Sequence, residues 1–363
     1  MIKYLGSKRV FVPTLGALME ASGATTALDL FTGTTRVAQE FCRRGAFTVA
    51  VDIATYSEVL AQCYVELDAD TVNRQEIEDA LAHLSSLPPV RGYFTEVFCE
   101  KSRYLHPENG MKVDAIRQGI EEYYADDPLK SVYLTSLLQA ADAVDSTVGI
   151  QMAYLKSWAS RALRPLTLKV PLLTPGSGRA MRGDALEVAR SLPPVDFAYL
   201  DPPYNQHRYF TNYHVWETLV RWDFPDHYGV ACKRLDAREE ETKSAFNSRR
   251  TMPAALRDTI AAVNAEVVVL SFSDEGFVPL PDLVDMCRER QEHVEVLGFP
   301  SKRYVGAQIG IHNPQGKQVG TVSHLHNTEY LVLSGDRTRI REMVDSTTLG
   351  SHVIAADSGR LGS

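Results

Sequence analysis

Asp201-Pro202-Pro203-Tyr204 follows directly on Val195-Asp-Phe-Ala-Tyr-Leu200, a nearly all-apolar run that reads as a buried strand. The two prolines remove backbone donors and hold the turn open, leaving their carbonyls as fixed acceptors. A carboxylate and a carbonyl aimed at one point trap an amino group. The aromatic beside them is a stacking platform for a flat ring. In an open parallel sheet, ligands sit outside the carboxyl ends of the strands, where this turn falls. The bland alternative is an ordinary strand-to-loop Asp-Pro turn.

A second site is Asp29-Leu30-Phe31-Thr32-Gly33, a strand end and a Gly turn ahead of a helix. Such a turn lets backbone approach a ligand closely at a helix N-terminus. Asp52 ends the next strand, 19 residues after Gly33, the place where an acidic residue receives ribose hydroxyls in a nucleotide-binding α/β unit. Alone, this pattern is equally well a structural turn; beside the Asp-Pro-Pro-Tyr turn it gains weight. The third site is Tyr4-Leu-Gly-Ser-Lys8, where an amine next to a small turn reaches the carboxylate of an amino-acid-like ligand. Taken alone, Lys8 reads as a solvent-exposed lysine.

The elements that position these residues follow from periodicity. Ala27–Phe31 and Phe47–Asp52 read as strands around a helix carrying Val37, Ala38 and Phe41, which ends near Gly45. That is the opening of a parallel α/β sheet. Residues 58–84 read as helical until Pro88-Pro89. Residues 90–165 are rich in Tyr, Glu, Lys and Leu, with helical periodicity at Met111–Tyr124, Pro128–Asp142 and Met152–Leu163. They read as a mostly helical insertion. Strands return at Val195–Asp201, Glu266–Phe272, Glu295–Phe299 and Glu329–Leu333, with a hairpin in the Gly-rich stretch 306–320. A short helix and a frayed tail are expected beyond Gly335.

At 363 residues the chain has room for two structural units, and 44% hydrophobic with 23% charged residues is ordinary globular composition. No apolar run reaches the ~20 residues of a membrane-spanning helix. The opening MIKYLGSKRVFVP lacks the long apolar core of an export signal. Five scattered cysteines without a CxxC pair exclude a disulfide framework and a recognisable zinc site, and they suit a reducing cytosol.

The net charge of −8 argues against nucleic acid, but the charge is segregated. Ser146 to Gly183 contains no Asp or Glu and holds Lys156, Arg161, Arg164, Lys169, Arg179 and Arg182. Val296 to Thr328, also acid-free, carries Lys302, Arg303 and Lys317 with three histidines. Chance and a solvated face explain such runs too. The pattern permits the polyanion partner that bulk charge alone argues against.

Tyr4-Leu-Gly-Ser-Lys8, Asp29-Leu-Phe-Thr-Gly33, Asp52 and Asp201-Pro-Pro-Tyr204 stand in the order used by the alpha group (Dam- and FokI-type, D12 class) of adenine-specific N6 DNA methyltransferases, which this chain resembles. Tyr104, Glu108–Arg117, Arg182-Gly-Asp184, Leu270–Gly276 and Asn327–Leu331 also look like segments of that family. The resemblance implies a Rossmann-like methyltransferase fold: a mixed sheet with a C-terminal antiparallel hairpin and an inserted, mostly helical domain. Residues 1–90 and 166–335 would form the catalytic domain binding S-adenosylmethionine, 91–165 the inserted lobe for DNA recognition, and 336–363 a partly flexible extension.

The implied reaction moves a methyl group from S-adenosylmethionine to the N6 amine of an adenine flipped out of double-stranded DNA. Residue by residue, Tyr4 and Lys8 would contact the methionine end of the cofactor. Asp29, Phe31 and Gly33 would line its pocket, Asp52 would bind the ribose, and Asp184 would lie near its adenine end. Asp201 would face both the cofactor's amino group and the target amine, with Pro202 and Pro203 holding the turn and Tyr204 stacked on the base. Lys156, Arg161, Arg164 and Lys169 are the candidate phosphate contacts.

The family usually has a second glycine two residues after the first; here it is Thr35, which would narrow the cofactor's approach. Cytosine-N4 methylation shares the geometry. RNA or protein amides are more distant substrates, and a catalytically weakened DNA-binding homologue is the non-enzymatic alternative. Cytosine-C5 methylation is a poor fit, because the chain has no Pro-Cys dipeptide. The expected location is the cytoplasm of a prokaryote or its phage, on the nucleoid, with a restriction enzyme or other defence subunits as candidate partners.

Overall fold

Thr26–Leu30 (β1) and Phe47–Asp52 (β2) pair in parallel, Leu28 opposite Val49, and Gly178–Arg182 (β3) continues the order with Asp52 opposite Arg182. The computed structural model describes residues 2–6, 8–206, 208–239, 242–302, 311–312, 318–320 and 326–355. Their packing divides into two compact units: Met1–Gly16, Thr25–Val188 and His207–Ser244 in the first, and Ala17–Ala24, Ala189–Gln206 and Ala245–Ser363 in the second.

In the first unit the chain between β1 and β2 forms Arg36–Arg43 (α1), whose Val37, Ala38, Phe41 and Cys42 are buried. Gly45 at φ 92° ends it: Gly45 donates to the Cys42 carbonyl and Ala46 to that of Phe41, the paired bonds of a left-handed helix stop. Thr55–Ala61 (α2) leads into a wider π-helical stretch, Gln62–Glu66. The single helix expected over 58–84 then breaks. Asp68 accepts the Asp70 N–H at 3.0 Å, its carbonyl accepts the Thr71 hydroxyl, and Asn73 caps Arg74–Ser86 (α3) through the Gln75 N–H. Short polar side chains here compete with the helix for its own backbone.

Pro107–Tyr123 (α4) and Lys130–Ala143 (α5) match expectation, and α5 is buried on nearly every side. Residues 91–165 share one hydrophobic core with β2 and α2: Phe94, Phe98, Ile116, Tyr133 and Leu137 belong to the same cluster as Ala50, Tyr56 and Leu60. Each such large side chain contributes roughly 1.5–3 kcal/mol on burial. His214–Arg221 (α6) joins it through Trp216 and Leu219.

The helix expected at Met152–Leu163 is absent apart from a 3-10 turn at Ser160–Leu163. Backbone donors in and just before this stretch find partners outside it, Gln151 at the Asn212 carbonyl, Leu155 at the Ser146 carbonyl and Ala159 at the Ser146 hydroxyl. Tertiary satisfaction overrides local propensity there.

In the second unit Val195–Leu200 (β4) and Ala265–Ser273 (β5) pair in parallel. His293–Lys302 (β6), His326–Gly335 (β7) and Val353–Ala355 (β8) complete the order β4-β5-β7-β6-β8, the last three joining antiparallel. Arg337–Ser346 supplies the short helix expected after Gly335. A two-stranded pairing of Ile311–His312 with Gln318–Gly320 falls in the expected hairpin. The rest of that stretch, with Arg303 and Lys317 of the second acid-free run, lies outside the described residues. The fold class is therefore mixed α/β with C-terminal antiparallel strands, as expected. Among the described residues no helix is long and apolar enough to cross a membrane, and all five cysteines are free and buried.

His214 opens α6 with no exposed surface. Its Nε2 lies 3.2 Å from the Gln151 carbonyl, which can only accept, so the neutral ring donates from Nε2. Burial pushes its pKa down from 6.5 to about 3. The unfolded chain therefore takes up this proton near pH 6.5 and the folded chain only near 3. Stability is intact above that window and lost progressively as pH falls through it, by about 1.4 kcal/mol per pH unit. Asp142, raised to about 6 by burial, acts in the opposite sense between about 6 and its ordinary 3.8. Urea unfolding of wild type and His214→Phe at pH 7.5 and 5 isolates the histidine. The gap between the two proteins should narrow or invert at pH 5.

Candidate active site

The turn after β1 is held from beneath. Asp29, 1% exposed, accepts the Thr32 hydroxyl at 2.7 Å and the Ala38 N–H at 3.0 Å. Its carboxylate shapes the turn from inside, a different task from the pocket-lining role expected of it. Phe31 and Thr32 both donate to the Val51 carbonyl, at 3.0 and 2.9 Å. Within five residues Phe31, Gly33 and Thr35 have φ of 72°, 53° and 63°. Left-handed backbone at a non-glycine residue costs of order 1–3 kcal/mol, more readily sustained where the surroundings over-determine it. Thr35 has no exposed surface; its hydroxyl donates to the Thr34 carbonyl and accepts from Gln39 Nε2 at 2.8 Å. The threonine side chain is folded under the turn.

Asp52, at the end of β2, binds this turn to the next helix. Its Oδ2 accepts the Gly33 N–H at 2.9 Å and its Oδ1 the Ala54 N–H at 3.0 Å. Burial raises its pKa, while the backbone donors from Ala54 and Gly33 oppose the rise. Ile53, the next residue, is an apolar side chain left 55% exposed.

Tyr4 covers the turn. Gly33 is left-handed at φ 53°, which favours glycine, and a Cβ added there would lie 3.0 Å from the Tyr4 ring, which would have to give slightly. The Tyr4 ring stacks on Tyr213 (centroids 4.7 Å apart, 14°) and Tyr209 (5.3 Å, 24°), and its hydroxyl is 3.4 Å from that of Tyr56. Burial raises the Tyr4 and Tyr56 pKa values well above the ordinary phenol, and the Asp52 charge adds to it. The Leu5 N–H donates to the Tyr213 hydroxyl at 2.6 Å, which fixes the N-terminal segment. Lys8 is 9% exposed, and its carbonyl accepts the Phe11 and Val12 N–H groups.

Glu217, 2% exposed on α6, was not expected at this site. It accepts from the N–H groups of Thr55 (3.0 Å) and Tyr56 (3.3 Å) and from the Thr55 hydroxyl (2.6 Å), capping α2. The cap leaves its pKa raised by burial. Arg182 donates to the Thr55 hydroxyl at 2.8 Å. The Gly183 N–H bonds the Asp52 carbonyl, so Asp184 follows closely along the chain; its Oδ1 caps Ala185–Ser191 through the Leu186 N–H. Tyr209 and Tyr213, spaced i,i+4 soon after the Asp-Pro-Pro-Tyr turn, were the available sequence signal for the tyrosine cluster.

In the second unit Asp201–Tyr204 leaves the carboxyl end of β4 as irregular chain, with Pro202 buried and Asp201, Pro203 and Tyr204 half-buried. The Tyr204 carbonyl accepts the Phe277 N–H at 2.9 Å, and its ring lies 5.7 Å from that of Phe272. The Asn205 carbonyl accepts from Asn247 Nδ2 at 3.0 Å. The family-like segments 270–276 and 327–331 face each other here: Glu329 pairs with Ser273, and Asn327 Nδ2 donates to Ser273 Oγ at 3.2 Å.

Lys156, Arg164 and Lys169 of the acid-free run are exposed. Arg161 is half-buried: Nε and Nη2 lie 3.0 and 2.8 Å from Oδ1 of the buried Asp145, and Nη2 also donates to the Thr147 carbonyl. The same Asp145 oxygen lies 2.8 Å from Lys3 Nζ, so one carboxylate faces two cations. Among the described residues no group of three His, Cys, Asp or Glu side chains is placed to hold a metal ion.

The sequence profile of the D12 class N6 adenine-specific DNA methyltransferases matches residues 4–271. The type II methyltransferase M.NlaIII of Neisseria lactamica is 30% identical over 311 residues, 83% of this chain and 90% of that protein. Modification methylase LlaI of Lactococcus lactis subsp. lactis is 28% identical over 79% of this chain, and M.FokI of Planomicrobium okeanokoites 25% over 84%. The matched part spans about half the length of those two larger proteins, 48% and 50%. The chain belongs to the D12 class of N6 adenine-specific DNA methyltransferases.

Proposed function

We propose that this enzyme transfers the methyl group of S-adenosylmethionine to the N6 amine of adenine in double-stranded DNA, as the modification partner of a restriction system. The relatives, named as type II methyltransferases and modification methylases, support that setting. One observation carries the chemistry: the Asp201–Tyr204 turn is pinned through its Tyr204 carbonyl while Asp201 and Tyr204 stay half-exposed.

The residues of the first unit fit the cofactor. Each Asp52 oxygen accepts one backbone donor and keeps a lone pair for a ribose hydroxyl. Ile53 offers an exposed apolar face to the adenine ring. Thr35, turned inward, puts no side chain in the way. When bound, S-adenosylmethionine supplies an electrophilic methyl on a sulfonium.

The target amine is a poor nucleophile because its lone pair is delocalised into the ring. Asp201 and the Pro202 carbonyl accept its N–H groups, favour a pyramidal nitrogen and stabilise the positive charge that develops on it. No strong base is needed before attack, since the proton leaves after the methyl arrives. Flipping the base costs a few kcal/mol, and stacking on Tyr204 offsets part of it, typically ~1–3 kcal/mol. Lys156, Arg164 and Lys169 meet phosphates. Incubation with labelled cofactor and duplex DNA, followed by nucleoside analysis, tests the reading; N4-methylcytosine in place of N6-methyladenine would redirect it.

Asp52→Ala removes both the ribose acceptor and the partner of two backbone N–H groups. Calorimetry should show cofactor affinity reduced at least about tenfold, since hydrogen bonds to charged groups are worth ~1.5–3 kcal/mol. Thermal stability should drop as well. Unchanged affinity removes the ribose assignment.

Asp201→Ala should cut the single-turnover methylation rate by roughly 10²–10³, the cost of losing one preorganised electrostatic partner. DNA affinity should be retained, because phosphate contacts supply most of it. A near wild-type rate in a folded, DNA-binding variant would dismiss the catalytic role.

A further inference from the structure

Three polar side chains of α4 are buried: Asn109 at 5% exposure, Asp114 at 2% and Arg117 at 2%. A buried polar group costs roughly 1–3 kcal/mol unless bonded, so their partners reveal what α4 holds. Asp114 accepts the Gly92, Phe94 and Thr95 N–H groups at 2.8–3.0 Å. Arg117 donates to the Leu219 and Val220 carbonyls at 2.7 and 3.0 Å. Asn109 holds the acid-free run. Its Nδ2 donates to the Ala162 and Arg164 carbonyls at 3.0 and 2.9 Å, and its Oδ1 accepts the Leu166 N–H at 2.9 Å. Both amide donors and the acceptor are spent on one short piece of backbone.

Ser136 of α5, 1% exposed, does the same further along. Its Oγ donates to the Lys169 carbonyl at 2.7 Å and accepts the Lys169 N–H at 3.1 Å. Residues 164–169 are irregular chain fastened by two side chains that stand in for a neighbouring strand. Leu166 and Leu168 pack against the core while Arg164, Thr167 and Lys169 are exposed. Five residues of extended chain span up to ~17 Å, well beyond the ~3.4 Å rise between successive phosphates of one strand.

We infer that Asn109 and Ser136 are positioning residues for DNA: they set the register of this strap so that Arg164 and Lys169 meet two separate phosphates. The inference rests on the proposed DNA-contact reading of the acid-free run. It gives a task to Asn109, in a family-like segment that the methyl-transfer chemistry leaves unused.

The test is DNA affinity against salt, from 50 to 200 mM, on a fixed duplex, for full-length wild type, Arg164→Gln/Lys169→Gln, Asn109→Ala, Ser136→Ala, and Asn109→Ala in the charge-neutralised background. At ~0.9 per phosphate contact, the charge-neutralised protein should lose ~1.8 from its log–log slope, so its affinity falls about tenfold less over this range. Asn109→Ala should lose a similar amount, and nothing further in the neutralised background. Ser136→Ala should lose ~0.9. A merely structural role would lower thermal stability without moving the slope. An unchanged slope in the charge-neutralised protein overturns the DNA reading itself. A flattened slope there, beside unchanged slopes for Asn109→Ala and Ser136→Ala, overturns the positioning role alone. Equal loss from Asn109→Ala in both backgrounds assigns its effect to the fold and overturns it too. If Asn109→Ala cannot be purified folded, Ser136→Ala, which deletes one hydroxyl, decides.

Discussion

The half-buried Asp52 carboxylate holds two backbone N–H groups, Gly33 on one oxygen and Ala54 on the other. A partly desolvated carboxylate is costly unless it is hydrogen-bonded. The bonds that make it tolerable also tie the β1 turn to the chain entering α2. Tyr4 lies over Gly33, Tyr213 lies against Tyr4, and Tyr213 immediately precedes α6. From α6, Glu217 returns to cap α2 two residues beyond Ala54. The contacts form a closed circuit, so the N-terminal segment, the turn, α2 and α6 settle together. Loosening any member leaves a buried donor or acceptor without its partner, at roughly 1–3 kcal/mol each.

The same device recurs away from the turn. From α4, Asp114 takes the N–H groups at the start of the π-helical stretch Thr95–Lys101, Arg117 the last carbonyls of α6, and Asn109 the irregular chain that follows the Ser160–Leu163 turn. Helix ends and irregular chain beside a core need their N–H and C=O groups satisfied. Side chains from α4 and α5 supply those bonds, which explains why so many polar residues sit in helices that are otherwise apolar. Arg161 illustrates the consequence for function: bound to the buried Asp145, it anchors the acid-free run while its neighbours remain outward.

What the sequence revealed and what it hid divides along this line. β2 was legible to the residue, because a short apolar run after Gly45 and a terminal Asp are local signals. The end of α1 at Gly45 was legible for the same reason. The Asp201–Tyr204 turn was placed correctly at a strand end by the apolar run before it. The missing helix at 152–163 was not legible, since Gln151, Leu155 and Ala159 find partners that only the tertiary structure brings near. Glu217 was hidden likewise: its partners lie 161 and 162 residues away, and nothing in its neighbourhood marks a buried carboxylate. The division of 58–84 was readable from Asp68, Asp70, Thr71 and Asn73, which favour turns and caps over helix interiors.

Thr35 shows how a departure from a family pattern is absorbed. A glycine at that position supplies left-handed backbone, and the backbone here keeps that conformation without one, at φ 63°. The strain is held because the turn is over-determined: Asp29 grips it at Thr32 and Ala38, the Val51 carbonyl takes Phe31 and Thr32, and Asp52 takes Gly33. The extra methyl and hydroxyl are buried beneath, where Gln39 and the Thr34 carbonyl satisfy the oxygen. The shape of the turn is therefore a property of its anchoring carboxylates more than of its glycines. At 33 glycine also spares the Tyr4 ring, which would lie 3.0 Å from a Cβ and have to shift to admit one.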